Sequence, residues 1–236
     1  MPRLSVIVPA YNEEATILET LTRVQFQSID SIDIETIVID DGSTDSTITK
    51  LEANPNLYAK LVLMPINSGK GAAVKAGLKE ATGDFILFQD ADLEYDPNDY
   101  RKLLAPVLDH EADVVIGSRM LAPPFTRVHY YWHKQANKML TSLFNILHNT
   151  TFSDIYSCYL LYRRSLVDPA ELRTVGWQQH AEILGLVVGR GNIYYEVPIT
   201  YSGRSYNEGK KIRARHVWSV VAEIIRGRFR RLKETR

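Results

Sequence analysis

The chain has a single cysteine among its 236 residues. Cys158 therefore has no partner for an intramolecular disulfide, and no thiolate cluster is available for zinc. A reducing compartment is permitted, and the cytoplasm is the expected residence. Long apolar runs are missing: none approaches the roughly eighteen residues that span a bilayer. Met1-Pro2-Arg3-Leu4-Ser5-Val6-Ile7-Val8-Pro9 reads as a strand rather than a signal peptide, because its apolar run is short and Asn12-Glu13-Glu14 follows at once. Gly/Ser runs, Pro-rich stretches, low-complexity tracts and internal repeats are also absent, which favours one α/β unit over two linked domains. Net charge is zero, but it is unevenly placed. From Lys210 to Arg236 ten Lys or Arg stand against Glu223 and Glu234, a net +8 that leaves −8 on the preceding residues. A basic C-terminal stretch on an acidic body points to an anionic surface or ligand. Nucleic acid is not expected, since no stacking platform or groove-reading motif accompanies the charge.

Strand-like and helix-like segments alternate through the first half, which predicts a mostly parallel sheet covered on both faces. Strands are expected at Leu4 to Val8, Ile34 to Ile39, Leu61 to Met64, Phe85 to Gln89 and Val114 to Ile116. Helices are expected from Glu13 to about Gln27, from a Ser43 or Thr44 cap to about Glu52, from Gly69 to Ala81, and from Pro97 onward. Further on, Val128 to Leu147 reads as a helix and Ile155 to Tyr162 as a strand. Ala181 to Val188 reads as a helix ended by Gly189, and Ile193 to Ile199 as a strand. Val217 to Leu232 places Val217, Trp218, Val221, Ile225, Phe229 and Leu232 on one side of a basic, amphipathic helix.

The chemistry concentrates at strand ends. Asp90-Ala91-Asp92-Leu93-Glu94 follows Phe85-Ile86-Leu87-Phe88, and in extended geometry the carboxylates of Asp90 and Asp92 point to the same side, a pair suited to Mg²⁺ or Mn²⁺. Asp40-Asp41-Gly42-Ser43 ends the second strand, so a parallel sheet puts both acidic clusters on its carboxyl edge, where such sheets bind ligands. Turn and capping chemistry is the alternative for either cluster alone. Asn67-Ser68-Gly69-Lys70-Gly71 opens a helix with a lysine, a natural phosphate site, yet it is no Walker A loop because Gly71 follows Lys70. Pro9-Ala10-Tyr11-Asn12-Glu13 offers a ring for a base and a carboxylate for its N–H groups; Tyr11 reads equally as a surface aromatic.

Val8-Pro9-Ala10-Tyr11-Asn12-Glu13, Asp40-Asp41-Gly42-Ser43-Thr44-Asp45, Asn67-Ser68-Gly69-Lys70-Gly71, Asp90-Ala91-Asp92 and Gly117-Ser118-Arg119 occur in this order. With them the chain resembles the family 2 glycosyltransferases of GT-A fold, and within these the polyprenyl-phosphate or dolichyl-phosphate mannose and glucose synthases. The resemblance implies a Rossmann-like GT-A domain over residues 1–213, its nucleotide-sugar half ending near 120, followed by a basic amphipathic helix over 214–236. It implies a GDP- or UDP-hexose donor bound by Pro9, Tyr11, Glu13, Ile39, Asp41, Lys70, Asp90, Ala91 and Arg119, with Arg204, Lys210 and Lys211 in a basic loop over the diphosphate. Asp90, Asp92 and Glu94 are the implied metal ligands, and Asp92, Arg119 and Arg204 the implied catalytic residues. The metal and these cations would neutralise charge growing on the leaving nucleoside diphosphate.

On the acceptor side, the resemblance places His129 and His133, one helical turn apart, where relatives face an acceptor phosphate. A partly buried aromatic cluster is the other reading of that pair; a zinc pair is not, for want of His-Glu-x-x-His and a third ligand. A lipid-phosphate acceptor is already anionic and needs no strong base, with inversion at the anomeric carbon implied. A hydroxyl acceptor, on a soluble glycan or protein, needs one, and Asp154 or Glu182 are the candidates. Gly176-Trp177-Gln178-Gln179-His180 and Leu160-Leu161 depart from the family's style, and a non-catalytic nucleotide-binding protein is the third reading. Because relatives continue into transmembrane helices, either a membrane-anchoring subunit or direct contact with the cytosolic membrane face is expected. Val217 to Leu232 would lie in the interface, or pack on the domain with its basic face in water.

Overall fold

In the computed structural model, residues 1–29, 31–121, 127, 131–204 and 217–234 are described, the last four by backbone alone. The elements run β1 (Arg3–Ala10), α1 (Ile17–Gln25), β2 (Asp33–Asp40), α2 (Thr47–Glu52), β3 (Lys60–Leu63), α3 (Lys70–Glu80) and β4 (Phe85–Phe88). Then come α4 (Tyr100–His110), β5 (Val114–Ser118), α5 (Tyr131–His148), β6 (Leu160–Arg163), α6 (Gln179–Arg190), β7 (Tyr194–Pro198) and α7 (Val217–Glu234).

One seven-stranded sheet has the order β3-β2-β1-β4-β6-β5-β7. All neighbours pair parallel except β6, which runs antiparallel between β4 and β5. The apolar runs explain the layering. Leu4 and Val6 to Val8 of β1, Ile37 to Ile39 of β2, and every residue of β4 and β5 are buried, as expected of strands covered on both faces. Helix α3 lies close on this sheet because Gly77 faces it: a Cβ there would sit 2.5 Å from Ile39 Cδ1 and 2.7 Å from Ile7 Cγ2.

Several boundaries differ from the sequence reading for identifiable reasons. Helix α1 starts at Ile17, since Glu13 O accepts from the amides of Thr16 and Ile17 in a preceding turn. Neither Ser43 nor Thr44 caps α2; Asp45 Oδ1 accepts from Thr47 N at 2.9 Å instead. Only Leu160–Arg163 of the expected 155–162 strand is paired. Two amides before it go to side chains instead of a ladder, Ile155 N to Thr141 Oγ1 and Cys158 N to Tyr95 Oη. Gly189 lies inside α6, which runs to Arg190 and closes where Gly191 N donates to Val187 O.

The C-terminal helix divides its apolar residues between two faces. Val220 and Ile224 are buried where α7 packs along α5 and α6, whereas Trp218, Ile225 and Phe229 stay exposed. Half-buried Arg230 ties the helix down further: Nη2 lies 2.7 Å from Glu171 Oε2, and Nη1 3.7 Å from Glu182 Oε1. Among the described residues no helix is long and apolar enough to cross a membrane.

Candidate active site

Strands β1, β2 and β4 run in the same direction, so the segments leaving their carboxyl ends meet on one edge of the sheet. Pro9 is paired with Ile39 in that edge, and Tyr11 and Glu13 follow it. The chain after β4 bends rather than extending, and Asp90 and Asp92 are consequently served by different cations.

Asp90 pairs with Lys70, the first residue of α3. The Lys70 Nζ also lies 5.3 Å from the centre of the Trp177 ring. Burial works against the ammonium, but Asp90 outweighs it and holds Lys70 charged well above its ordinary range. The Asp90 carboxyl, which burial would raise, is held below its usual range by Lys70 and by a hydrogen bond from Cys158. Cys158 itself is driven far up by burial and by Asp90, so its thiol stays protonated and serves as a donor, not a nucleophile.

Asp92 meets Arg204, whose guanidinium gathers three carboxylates. Nη2 is 2.6 Å from Asp92 Oδ2, Nη1 3.3 Å from Glu13 Oε2, and Nε 3.3 Å from Glu94 Oε1. Glu94 receives two further bonds, from Arg204 N at 2.8 Å and Tyr201 Oη at 2.6 Å. Arg204 is held there by main chain: Tyr201 bridges Tyr95, and Ser202 N donates to Glu94 O. Tilted ring contacts support that bridge, with Tyr95 5.0 Å from Tyr201 and 4.9 Å from Tyr159. Burial, then repulsion by Asp90 and Glu94, pushes the Asp92 carboxyl up to about 7 despite Arg204. Among the described residues the cluster is thus short of positive charge.

That shortage is the observation by which a divalent cation fits, since hard carboxylate oxygens crowded together are what Mg²⁺ or Mn²⁺ relieves. Among the described residues no three His, Cys, Asp or Glu side chains converge into a ready metal cage. Glu94 in particular is turned to Arg204 and Tyr201, so the trio expected from the sequence is not assembled; Asp90 and Asp92 remain adjacent enough to repel.

The other expected residues fall into distinct places. Both oxygens of Asp41 are used, accepting from Ser68 N at 2.8 Å and Gly69 N at 2.9 Å, so it braces the loop entering α3. Close approach of Gly42 to Ile66 and Asn67, with φ +69°, completes that loop. Ile39 points into the core against Gly77 rather than toward the edge. Ala91 is buried, and its carbonyl accepts from Thr16 and Thr20 of the α1 region. Arg119 stands apart from the carboxylates: it grips Asp154 with Nε at 2.7 Å and Nη2 at 2.8 Å, and lies 5.0 Å from the Tyr201 ring centre. Tyr201, bonded to Glu94, links it to the cluster. His133 is half-buried in the first turn of α5. His129, Lys210 and Lys211 lie outside the described residues.

The two candidate bases are committed elsewhere. Asp154, fully buried, also accepts from Asn137 at 2.7 Å. Burial would raise its carboxyl, but Arg119 holds it well below the usual range. Glu182 accepts from the amides of Arg173 and Thr174 and from Thr174 Oγ1 at 2.7 Å, which fixes the loop carrying Trp177. A carboxylate saturated in this way is a bracket, and neither group is available to take a proton from an acceptor.

Sequence reasoning missed three parts of the site: the Tyr95–Tyr201 bridge, the Trp177 face beside Lys70, and Asp154 as the partner of Arg119. His180 was noted only as a departure. Burial and Lys70 push it down to about 4, so it is neutral, and with Nε2 3.0 Å from Ile155 O it donates that proton to the carbonyl. Tyr95 and Tyr201 lie far apart in the chain, and no local pattern marks them as partners.

Paired acidic loops, a helix-start lysine and an arginine thus meet at the carboxyl edge of an α/β sheet, the edge at which such sheets bind ligands in general. The chain belongs to glycosyl transferase family 2, whose family description matches residues 5–169. It is 27% identical over 227 residues to the dolichol-phosphate mannosyltransferase of Pyrococcus furiosus, covering 95% of this chain and 63% of that one. It is 29% identical over 214 residues to the undecaprenyl-phosphate 4-deoxy-4-formamido-L-arabinose transferase of Proteus mirabilis, covering 88% of this chain and 62% of that protein. The chain thus spans less than two thirds of the length of either relative. The fold matches the crystal structure of glucosyl-3-phosphoglycerate synthase from Mycobacterium tuberculosis in complex with Mn²⁺, UDP and glucosyl-3-phosphoglycerate. There the TM-score is 0.68 at 22% identity, over 98% of this chain and 80% of that one. It also matches S. aureus TarS 1–349 in complex with UDP-GlcNAc, with TM-score 0.64 at 20% identity over 95% and 66% of the two chains. The architecture is the GT-A fold, and the domain is that of a glycosyltransferase.

Proposed function

We propose that this protein transfers a hexose, mannose or glucose, from a nucleoside-diphosphate sugar to a polyprenyl phosphate, with a divalent metal and with inversion. The observation that carries the reading is the pairing, among the described residues, of four carboxylates, Glu13, Asp90, Asp92 and Glu94, with the two cations Lys70 and Arg204 at the sheet's carboxyl edge. The P. furiosus and P. mirabilis relatives, named for lipid-phosphate acceptors, support the choice of acceptor. So does the commitment of Asp154 and Glu182 to structural bonds: a phosphate acceptor arrives ionised and needs neither as a base.

Lys70 and Arg204 provide fixed positive charge for the diphosphate as it departs, and a dry, preorganised site makes such charges far more effective than they are in water. Mg²⁺ or Mn²⁺ held by Asp90 and Asp92 would supply further charge to the same leaving group. Tyr11 and Glu13 would contact the base, and Arg119, held by Asp154 and facing the Tyr201 ring, would stand near the donor. Trp177, beside Lys70, closes the other flank.

A thermal-shift panel of UDP, GDP and their glucose and mannose conjugates with Mn²⁺ tests the donor assignment, because a ligand that prefers the native state raises its melting temperature. One nucleotide family should raise it, with transfer to polyprenyl phosphate from the matching sugar. Transfer to a soluble hydroxyl acceptor but none to the lipid phosphate would reverse the acceptor assignment. Tight nucleotide binding without transfer or hydrolysis would make this a non-catalytic binding protein.

A further inference from the structure

Helix α7 has one apolar face too many. Its inner face, Val220 and Ile224, is already buried against the domain. On the opposite side Trp218, Ala222, Ile225 and Phe229 follow one another at helical spacing and form a continuous stripe in solvent. Trp218 is 78% exposed and Phe229 62%, values unusual for aromatic side chains of a folded helix. Arg226, 64% exposed, lies on one flank of the stripe, and Arg228 on the other.

We infer that this outward stripe is a docking surface for an anionic lipid bilayer, with α7 lying in the membrane plane and the catalytic domain seated behind it. Charge selects the occupant: the last 27 residues carry a net +8, the arrangement that holds an apolar helix face at anionic headgroups. A second copy of the chain is the poorer fit, since a two-fold contact would bring the stripe against itself and oppose Arg226 and Arg228 to their own images. The side chains reaching inward do not take part, so docking leaves the contacts of Arg230 with Glu171 and Glu182 in place. This surface is argued from α7 and the charge of the C-terminal stretch, and stands whether or not the acceptor is a lipid phosphate.

The test is co-sedimentation of the full chain with vesicles of phosphatidylglycerol and phosphatidylcholine containing no polyprenyl phosphate, beside vesicles of phosphatidylcholine alone. The variant is Trp218→Ser/Ile225→Ser/Phe229→Ser, which alters only exposed positions. Wild type should sediment with the anionic vesicles and be released by high salt. The variant should partition at least about tenfold more weakly at an unchanged melting temperature, as expected when three interfacial apolar groups are lost. Equal sedimentation of both forms would overturn the assignment of this face. Wild type remaining in the supernatant would overturn the membrane as its occupant and leave a protein partner. A variant that melted earlier is replaced by the single change Phe229→Ser, judged by the same partition ratio.

Discussion

Replacing Asp154 by Asn tests whether Arg119 depends on one buried carboxylate. The substitution keeps size and shape, and it removes the charge from a side chain with no solvent exposure that holds Arg119 in two bonds and accepts from Asn137. Arg119 is only 17% exposed, so it would be left nearly buried with the Tyr201 face as its remaining favourable contact. Breaking such a pair by removing one partner costs about 3–5 kcal/mol; partial exposure and the surviving amide oxygen place the cost near the lower limit. For a chain of this size, about 3 kcal/mol corresponds to a melting temperature lower by roughly 6–12 °C. The pH dependence has a definite sign. Because the folded carboxyl is held below its unfolded value by Arg119, its stabilisation is present above that unfolded value, near pH 4, and fades as pH falls through the folded one. Scanning calorimetry should therefore find the same deficit at pH 5 and at pH 8. In an Arg119→Met background the same change should cost much less, since no cation is then stranded. A drop of less than about 2 °C at neutral pH would refute the reasoning, given how melting temperature scales with stability; so would an equal cost in both backgrounds.

Two further outcomes follow from the packing and charge of the site. Asp92→Asn should abolish sugar transfer yet raise the melting temperature measured in EDTA, and the gain should be absent near pH 4 and grow toward pH 8. Asp92 binds its proton more tightly folded than unfolded, so ionising it destabilises the fold as pH rises from about 4 to about 7; a flat difference across that range would contradict the crowding. Gly77→Ala should lower stability by roughly 1–3 kcal/mol in urea denaturation, because its methyl group would meet Ile39 and Ile7 well inside contact distance. A neutral result would mean that α3 can lift from the sheet.

Local sequence patterns prescribe the scaffold and supply the site's residues. Apolar runs too short for anything but buried strands, each followed by a turn and a helical period, prescribe β1, β2, β4 and β5, and these put Asp40-Asp41 and Asp90-Ala91-Asp92 on one edge. That much is local: side-chain periodicity and backbone sterics act within a dozen residues. Tertiary structure alone decided which carboxylate does what. Asp41 and Asp92 look alike as acidic residues after strands, but Asp41 spends both oxygens on the amides of Ser68 and Gly69, whereas Asp92 is crowded by Asp90 and Glu94 and answered by Arg204 from 112 residues away. Asp154 and Glu182, legible only as bases, became braces once Arg119, Arg173 and Thr174 were brought against them. The inversion of β6 and the two faces of α7 have the same origin. A period of 3.6 residues shows that a helix has an apolar side, but the surfaces of α5 and α6 chose Val220 and Ile224 as the residues to bury and left Trp218, Ile225 and Phe229 in water. Charge pairing and burial are long-range sums over atoms distant in the chain, and only the folded arrangement evaluates them.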